Sequence, residues 1–326
     1  MDEIAREIGK EYEYEGMVMN NGFPAWGLDQ LKKTEFDDKD VFVVSYPKCG
    51  TTWMQEITYL VHTEGDFDGS NKTPLYDRFN FIETNSAEAN PEEANPAEAN
   101  PAEAKPVEAN PDGGHEGEPL SGLKRLEAES PPRLIKTHLG PHFFKKTLDE
   151  RKTKFIVVFR NPKDVLVSYY NFYKMAPYDF DRDGKWEDFF EKFRNNKLCH
   201  GSIFDMQLRW WQYKDDPRVK IFKYEDMLKD PERAVRQVAS FLEKDLPDDL
   251  IQKIVERTSF KSMKGHPMLN YSTIPSFFLD QSVCSFMRKG QVGDWKNYFS
   301  EEQRKYVDDM SKCRFEPEGL ILEDSL

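Results

Sequence analysis

The chain has 326 residues, of which 38% are hydrophobic and 13% aromatic. That is enough apolar material for one large α/β core and too much for a disordered or fibrous protein. Lys and Arg number 46 against 59 Asp and Glu, a net charge of −13 that argues against a nonspecific binder of nucleic acid or of an anionic membrane. Residues 86–119 alone carry nine acids and one base, Lys105, so the remainder stands near −5. Cys49, Cys199, Cys284 and Cys313 are far apart with no C-x-x-C pair, which predicts free thiols in a reducing, cytoplasmic setting. No apolar run approaches the roughly 20 residues that span a bilayer, so neither a signal peptide nor a membrane helix is predicted.

In chain order, V-F-V-V-S-Y at residues 41–46 is a nearly continuous apolar run stopped by Pro47 and Gly50, the pattern of a buried parallel strand. Trp53, Met54, Ile57, Leu60 and Val61 then recur at helical spacing, with Thr51 or Thr52 near the cap. Within residues 86–119, Pro91, Pro96, Pro101, Pro106 and Pro111 recur every five residues in E-A-N-P units. Proline at that interval forbids a helix, and the units hold no large apolar side chain, so a disordered acidic spacer inside one domain spanning 1–326 is expected. R-L-I-K at 133–136 is a short strand candidate. K-F-I-V-V-F-R at 154–160 repeats the strand, turn, helix rhythm, with Asn161 and Pro162 breaking the strand and residues 164–175 helical. A further strand is expected at 219–224, and proline opens two helices at 231–242 and 247–257. Strands alternating with helices imply a central parallel sheet flanked by helices.

Four constellations carry candidate chemistry. Y-P-K-C-G-T-T-W (46–53) puts Lys48 and the hydroxyls of Thr51 and Thr52 where a strand opens a helix, a setting suited to phosphate because backbone N–H groups and the positive helix end converge there. It is not a Walker A loop, since Lys48 precedes Gly50, and the second strand ends in Arg160-Asn161 rather than in an acid for Mg²⁺. R-N-P-K-D-V-L-V-S-Y-Y (160–170) places Arg160 at another strand end, with Ser168 along the following helix. F-M-R-K-G-Q-V-G-D-W (286–295) joins Arg288 and Lys289 to Gly290 and Gly293 in a loop. Three such sites suggest a ligand with more than one phosphate. K-T-H-L (136–139) offers His138 as a general base on a hydroxyl, and the spacing of His138 and His142 across Gly140-Pro141 spoils a zinc face. A phosphoryl transferase and a catalytically silent nucleotide-binding or scaffolding protein remain the competing readings.

With these motifs in hand, the sequence resembles the cytosolic sulfotransferases, which move a sulfuryl group from 3′-phosphoadenosine 5′-phosphosulfate (PAPS) to small hydroxyl or amine acceptors. F-K-Y-E-D-M (222–227), T-S-F-K-S-M (258–263) and N-Y-S-T-I-P (270–275) extend the likeness in order along the chain. The resemblance implies that Lys48, Cys49, Gly50, Thr51 and Thr52 hold the 5′-phosphate end and that Trp53 stacks on adenine. Tyr224, Thr258, Phe260 and Met287 would lie nearby, with Arg160, Ser168, Arg288, Lys289 and Gly290 gripping the 3′-phosphate. It implies His138 as base, Lys48 and Lys136 as catalytic cations, no metal, and adenosine 3′,5′-bisphosphate (PAP) as product. Phe81, Lys136, His138, Tyr169, Phe172, Tyr271, Phe278 and Leu279 would line the acceptor pocket. Small-molecule acceptors are the expected partners, without nucleic acid or membrane. The family's dimerisation segment falls on residues 296–305, where Ser300-Glu301 and Lys305 depart from its pattern, so a monomer or weak homodimer is expected. Cys49, beside Lys48 at a helix start, has two readings, a thiol of lowered pKa or an inert small residue that fits the turn, and the second is favoured.

Overall fold

A computed structural model describes residues 2–84 and 122–325; the acidic repeat at 86–119 lies outside the described residues. Five parallel strands form the central sheet in the order β4-β5-β3-β6-β7. Their spans are β3 Val41–Ser45, β4 Asn80–Phe81, β5 Leu134–Thr137, β6 Lys154–Phe159 and β7 Val219–Lys223. In β3 every residue is buried, as a strand covered on both faces requires. Alternate side chains serve opposite layers. Phe42, Val44, Phe155, Val157 and Phe159 enter one core, while Val41, Val43, Ile156, Val158 and Phe222 enter the other.

From β3 in the middle, the chain runs outward to β4, returns to β5 beside β3, and then crosses to β6 and β7 on the other side. The carboxyl ends of β5, β3 and β6 therefore flank the point where the winding direction reverses, which is where open α/β sheets form their ligand crevice. Lys48, His138 and Arg160 follow these three strands directly.

The helix after β3 is Thr51–His62, but its cap is Gly50 at φ +100, with no side-chain cap bond. Thr51, expected near the cap as a hydroxyl donor, instead joins its Oγ1 to Ser45 Oγ at 2.5 Å. The helix after β6 spans Pro162–Tyr173, beginning earlier than the sequence suggested. Pro162 starts the helix because its missing N–H is no loss in the first turn, and Asn161 Oδ1 caps the Lys163 N–H at 2.9 Å. Outside the main sheet, β1 Glu11–Tyr14 and β2 Met17–Asn20 form an antiparallel hairpin with no counterpart in the sequence reading. Its turn residues Glu15 and Gly16 both have positive φ. Among the described residues, no helix is long and apolar enough to cross a membrane.

Candidate active site at the carboxyl edge of the sheet

The turn after β3 is shaped by its backbone. Lys48 and Gly50 both occupy the left-handed region, at φ +69 and +100. Glycine is needed at 50 for close approach as well, since a Cβ there would lie 2.7 Å from Cδ2 of Tyr224. The Tyr224 ring meets Trp53 edge-on at 5.7 Å and carries the Arg160 guanidinium on its face at 4.2 Å. Arg160 is 8% exposed and links two loops. Its Nη1 donates to the Lys48 carbonyl at 3.1 Å, and its Nη2 donates to the Gln291 carbonyl at 3.2 Å.

Asp164 fastens the carboxyl-terminal loop to the same edge, accepting from the N–H groups of Gly293 (2.8 Å) and Trp295 (3.2 Å) while also accepting from Asn161 Nδ2. In that loop Arg288 and Lys289 both pair with Asp294 at 2.5 Å. Gly290, at φ +63, packs so closely on Phe260 that a Cβ would fall 2.2 Å from the ring. Met287 and Val292 rest on the core cluster that Trp53 also covers. Lys48, Gly50, Trp53, Arg160, Tyr224, Phe260, Arg288, Lys289 and Gly290 thus converge from five stretches of sequence. Along this edge, the buried donors Trp53 Nε1, Arg160 Nε and Arg288 Nε have no hydrogen-bond partner among the described residues. Ser168 is half-buried on the Pro162–Tyr173 helix. Thr52 hydrogen-bonds Tyr271, and the Thr258 hydroxyl donates to the Ile254 carbonyl at 2.8 Å.

Burial decides between the two readings of Cys49. This side chain is fully buried, and burial pushes its thiol pKa up, outweighing the cation Arg160 that pulls it down. A helix start lowers a thiol pKa only when the sulfur is solvated enough to ionise; Cys49 is a packing residue.

At the end of β5, His138 is 9% exposed and its Nδ1 donates to the Ser45 carbonyl at 2.7 Å. That bond fixes the tautomer and leaves the Nε2 lone pair available. The His138 backbone N–H donates to Glu83 at 2.5 Å. Burial, then Lys136, with His200 and Lys48 adding to it, hold the imidazole well below its ordinary pKa, so it stays neutral. Lys136 lies 3.7 Å over the Phe81 ring. Burial lowers its pKa, opposed by the Glu83 carboxylate, whose own pKa burial raises. Lys48 is lowered to about 7, first by burial and then by Lys136. Its Nζ sits 3.9 Å from the ring centre of Phe286 and 4.4 Å from that of Phe172.

Aromatic walls adjoin these groups. Phe81 stands edge-on to His138 at 5.3 Å between centroids. Tyr271 and Leu279 form a small cluster with Met175, against which Phe172 and Phe286 pack. Phe278 rests on Phe277 at 4.3 Å, and Tyr169 is a core residue whose hydroxyl donates to the Cys199 carbonyl at 3.1 Å. Sequence reasoning gave no role to Glu83, Asp164, Phe286 or His200. Phe286 lay within a recognised motif, and Asp164 within another; Glu83 and His200 carried no local signal.

Comparison with known proteins gives a consistent result. A family model described as "Sulfotransferase domain" matches residues 38–318. The chain is 36% identical over 295 residues to Sulfotransferase 1A1 of Bos taurus, covering 89% of this chain and 90% of the relative. Among solved structures it resembles mouse sulfotransferase SULT7A1 complexed with PAP, at TM-score 0.71 and 26% identity over 94% of each chain. The fold also resembles retinol dehydratase in complex with androsterone and inactive cofactor PAP, at TM-score 0.79 and 22% identity, covering 98% of this chain and 95% of that one.

The Gly50 contacts set a direct test. Gly50→Ala places a methyl group against the Tyr224 ring at a positive φ, at a cost of about 2 kcal/mol or more. Urea unfolding should show a lower midpoint with an unchanged slope; an unmoved midpoint would mean that the turn is not held as described.

Proposed function

We propose that this chain, which belongs to the sulfotransferase family, transfers the sulfuryl group of PAPS to a hydroxyl or amine of a small aromatic acceptor, with His138 as general base. The carrying observation is the set of unpaired buried donors on Trp53, Arg160 and Arg288, spread along an edge already rich in cations. Buried donors without partners are costly, and a nucleotide with phosphate at both ends would supply acceptors to all three. Lys48, Gly50, Thr51 and Thr52 would hold its 5′ end, Trp53 and Tyr224 its base, and Arg160, Ser168, Arg288, Lys289 and Gly290 its 3′-phosphate. A nucleotide without the 3′ group would leave cations there uncompensated, which disfavours ATP.

When bound, PAPS would supply an activated sulfuryl sulfur open to in-line attack by the acceptor oxygen, with PAP as the leaving group. The residues do the rest. His138 Nε2 takes the acceptor proton while its Nδ1–H stays on Ser45. Lys48, with a pKa of about 7 when unpaired, takes up its proton as the nucleotide phosphate arrives and then stands as an ammonium where negative charge grows on the departing oxygen. Lys136 steadies the sulfuryl oxygens, and Glu83 balances its charge. The walls of Phe81, Phe172, Tyr271 and Phe286 favour a flat apolar acceptor.

His138→Ala is expected to lower turnover at least a thousandfold in a radiolabelled PAPS assay while PAP binding stays within about threefold; retained turnover would remove His138 from the base role.

The Lys48 shift gives a pH signature. A phosphate group raises the Lys48 pKa above its free value of about 7, so PAP binding at about pH 8 takes up close to one proton, and affinity grows as pH falls toward about 7 and levels off below it. Calorimetry in buffers of differing ionisation enthalpy measures the uptake, and Lys48→Met should abolish it.

The segment at 296–305 supports a monomer or weak dimer. Ser300 and Gln303 form a capping box that starts the Glu301–Arg314 helix, and Lys305 pairs with Asp309 of its own helix. Sedimentation equilibrium at micromolar concentration should return the single-chain mass; a tight dimer would contradict this.

A further inference from the structure

Beside His138 lies a second imidazole whose hydrogen-bonding capacity is unspent. His200 is 4% exposed, and its ring stands edge-on to that of His138 at 5.5 Å between centroids and to that of Phe23 at 4.9 Å. Neither Nδ1 nor Nε2 has a hydrogen-bond partner of ordinary geometry among the described residues. The neighbouring Cys199 carbonyl raises its proton affinity, but no hydrogen bond of ordinary geometry joins the two. Unpaired buried polar atoms are costly. The backbone adds strain, because His200 sits at φ +68, a region unfavourable for side chains with a Cβ.

The loop is nevertheless held there firmly. The Tyr173 hydroxyl accepts from the Cys199 N–H at 2.6 Å, the His200 N–H donates to the Val18 carbonyl of β2 at 2.9 Å, and the Tyr46 hydroxyl donates to the Gly201 carbonyl at 2.9 Å. Hydrogen bonds from three elements hold a strained turn in the one arrangement that sets an unsatisfied ring against the proposed base.

We propose that His200 is a specificity-determining residue of the acceptor site, hydrogen-bonded to a second polar group that the acceptor carries close to the hydroxyl held by His138. This rests on the reaction proposed above, because it takes the group facing His138 Nε2 to be the acceptor oxygen. At 5.5 Å between centroids, the two rings are near enough for two polar groups on one small aromatic acceptor to face them together, which makes diols on neighbouring or next-neighbouring ring carbons the natural probes. Burial, then Lys136, lower the His200 pKa to about 3, so the ring is neutral and offers one donor and one acceptor, matching a hydroxyl in either sense. A monohydroxy acceptor fills the pocket but leaves both nitrogens unpaired, and sites built for a hydrogen bond discriminate strongly against analogues that lack it.

The test compares kcat/KM of the full chain for phenol, 1,2-dihydroxybenzene and 1,3-dihydroxybenzene, in the wild type, His200→Asn and His200→Gly. Asn and Gly tolerate positive φ, and PAP binding reports that each variant is folded. In the wild type one of the diols should exceed phenol by about tenfold or more, and in both variants that ratio should fall toward the roughly twofold expected from having two hydroxyls. Turnover of phenol and both diols, with a wild-type ratio already near twofold or a ratio unmoved by either substitution, overturns the role of His200 and leaves the reaction standing. Failure of the wild type to sulfate any of a panel of phenols, alcohols and amines overturns the reaction and this inference together.

Discussion

The Lys48 ammonium lies between two aromatic faces with no ion-pair partner among the described residues, and Lys136 and the guanidinium groups of Arg160 and Arg288 push its pKa further down. Solvent is too far removed to stabilise that charge fully, so the free protein relieves the cost by letting the lysine approach neutrality near pH 7. The arrangement is stable because the sheet edge is rigid: β5, β3 and β6 are locked in parallel register, and Arg160 ties the turn after β3 to the carboxyl-terminal loop. Charge that cannot move apart is charge that an anion can neutralise, which is how a preorganised electrostatic site works.

The opposite end of the site is balanced differently. Asp294 holds Arg288 and Lys289 together, so two cations share one carboxylate and keep a net positive charge in a fixed place. Asp164 meanwhile spends its oxygens on backbone N–H groups of that loop and contributes shape. Asp164 and Asp294 thus hold the loop through contacts of its own chain, whereas Lys48, on the proposed reading, would change protonation when an anion arrives. The division between a compensated anchor and an uncompensated reaction centre follows from where acids were placed in the sequence.

How much of this the sequence disclosed depends on whether the information was local. Residues 41–46, 154–160 and 219–224 were legible as strands because each is a short apolar run bounded by breakers, and the phosphate motifs sit at the boundaries those breakers mark. The two-residue strand Asn80–Phe81 has no periodicity to read; its place at the sheet edge comes from pairing with β5. Cys49 admitted two readings because its neighbour in sequence, Lys48, pulls toward a reactive thiol, and the burial supplied by distant residues decides for packing. Tyr169 illustrates the same point: its hydroxyl supports the Cys199 carbonyl thirty residues on, a role visible only once helix and loop are packed.

Phe286 connects the two halves of the site. It belongs to the loop that carries Arg288, it meets Tyr271 at a tilt at 4.5 Å and Phe172 edge-on at 5.9 Å, and it forms one face of the Lys48 enclosure. Because an ammonium is drawn to the face of an aromatic ring more strongly than a neutral amine, protonating Lys48 would tighten Phe286 and Phe172 around it, and the proposed function sets these same rings around the acceptor. On that reading, filling the anion site would firm the apolar pocket through shared side chains, a coupling that needs no larger motion than a change in one lysine's charge.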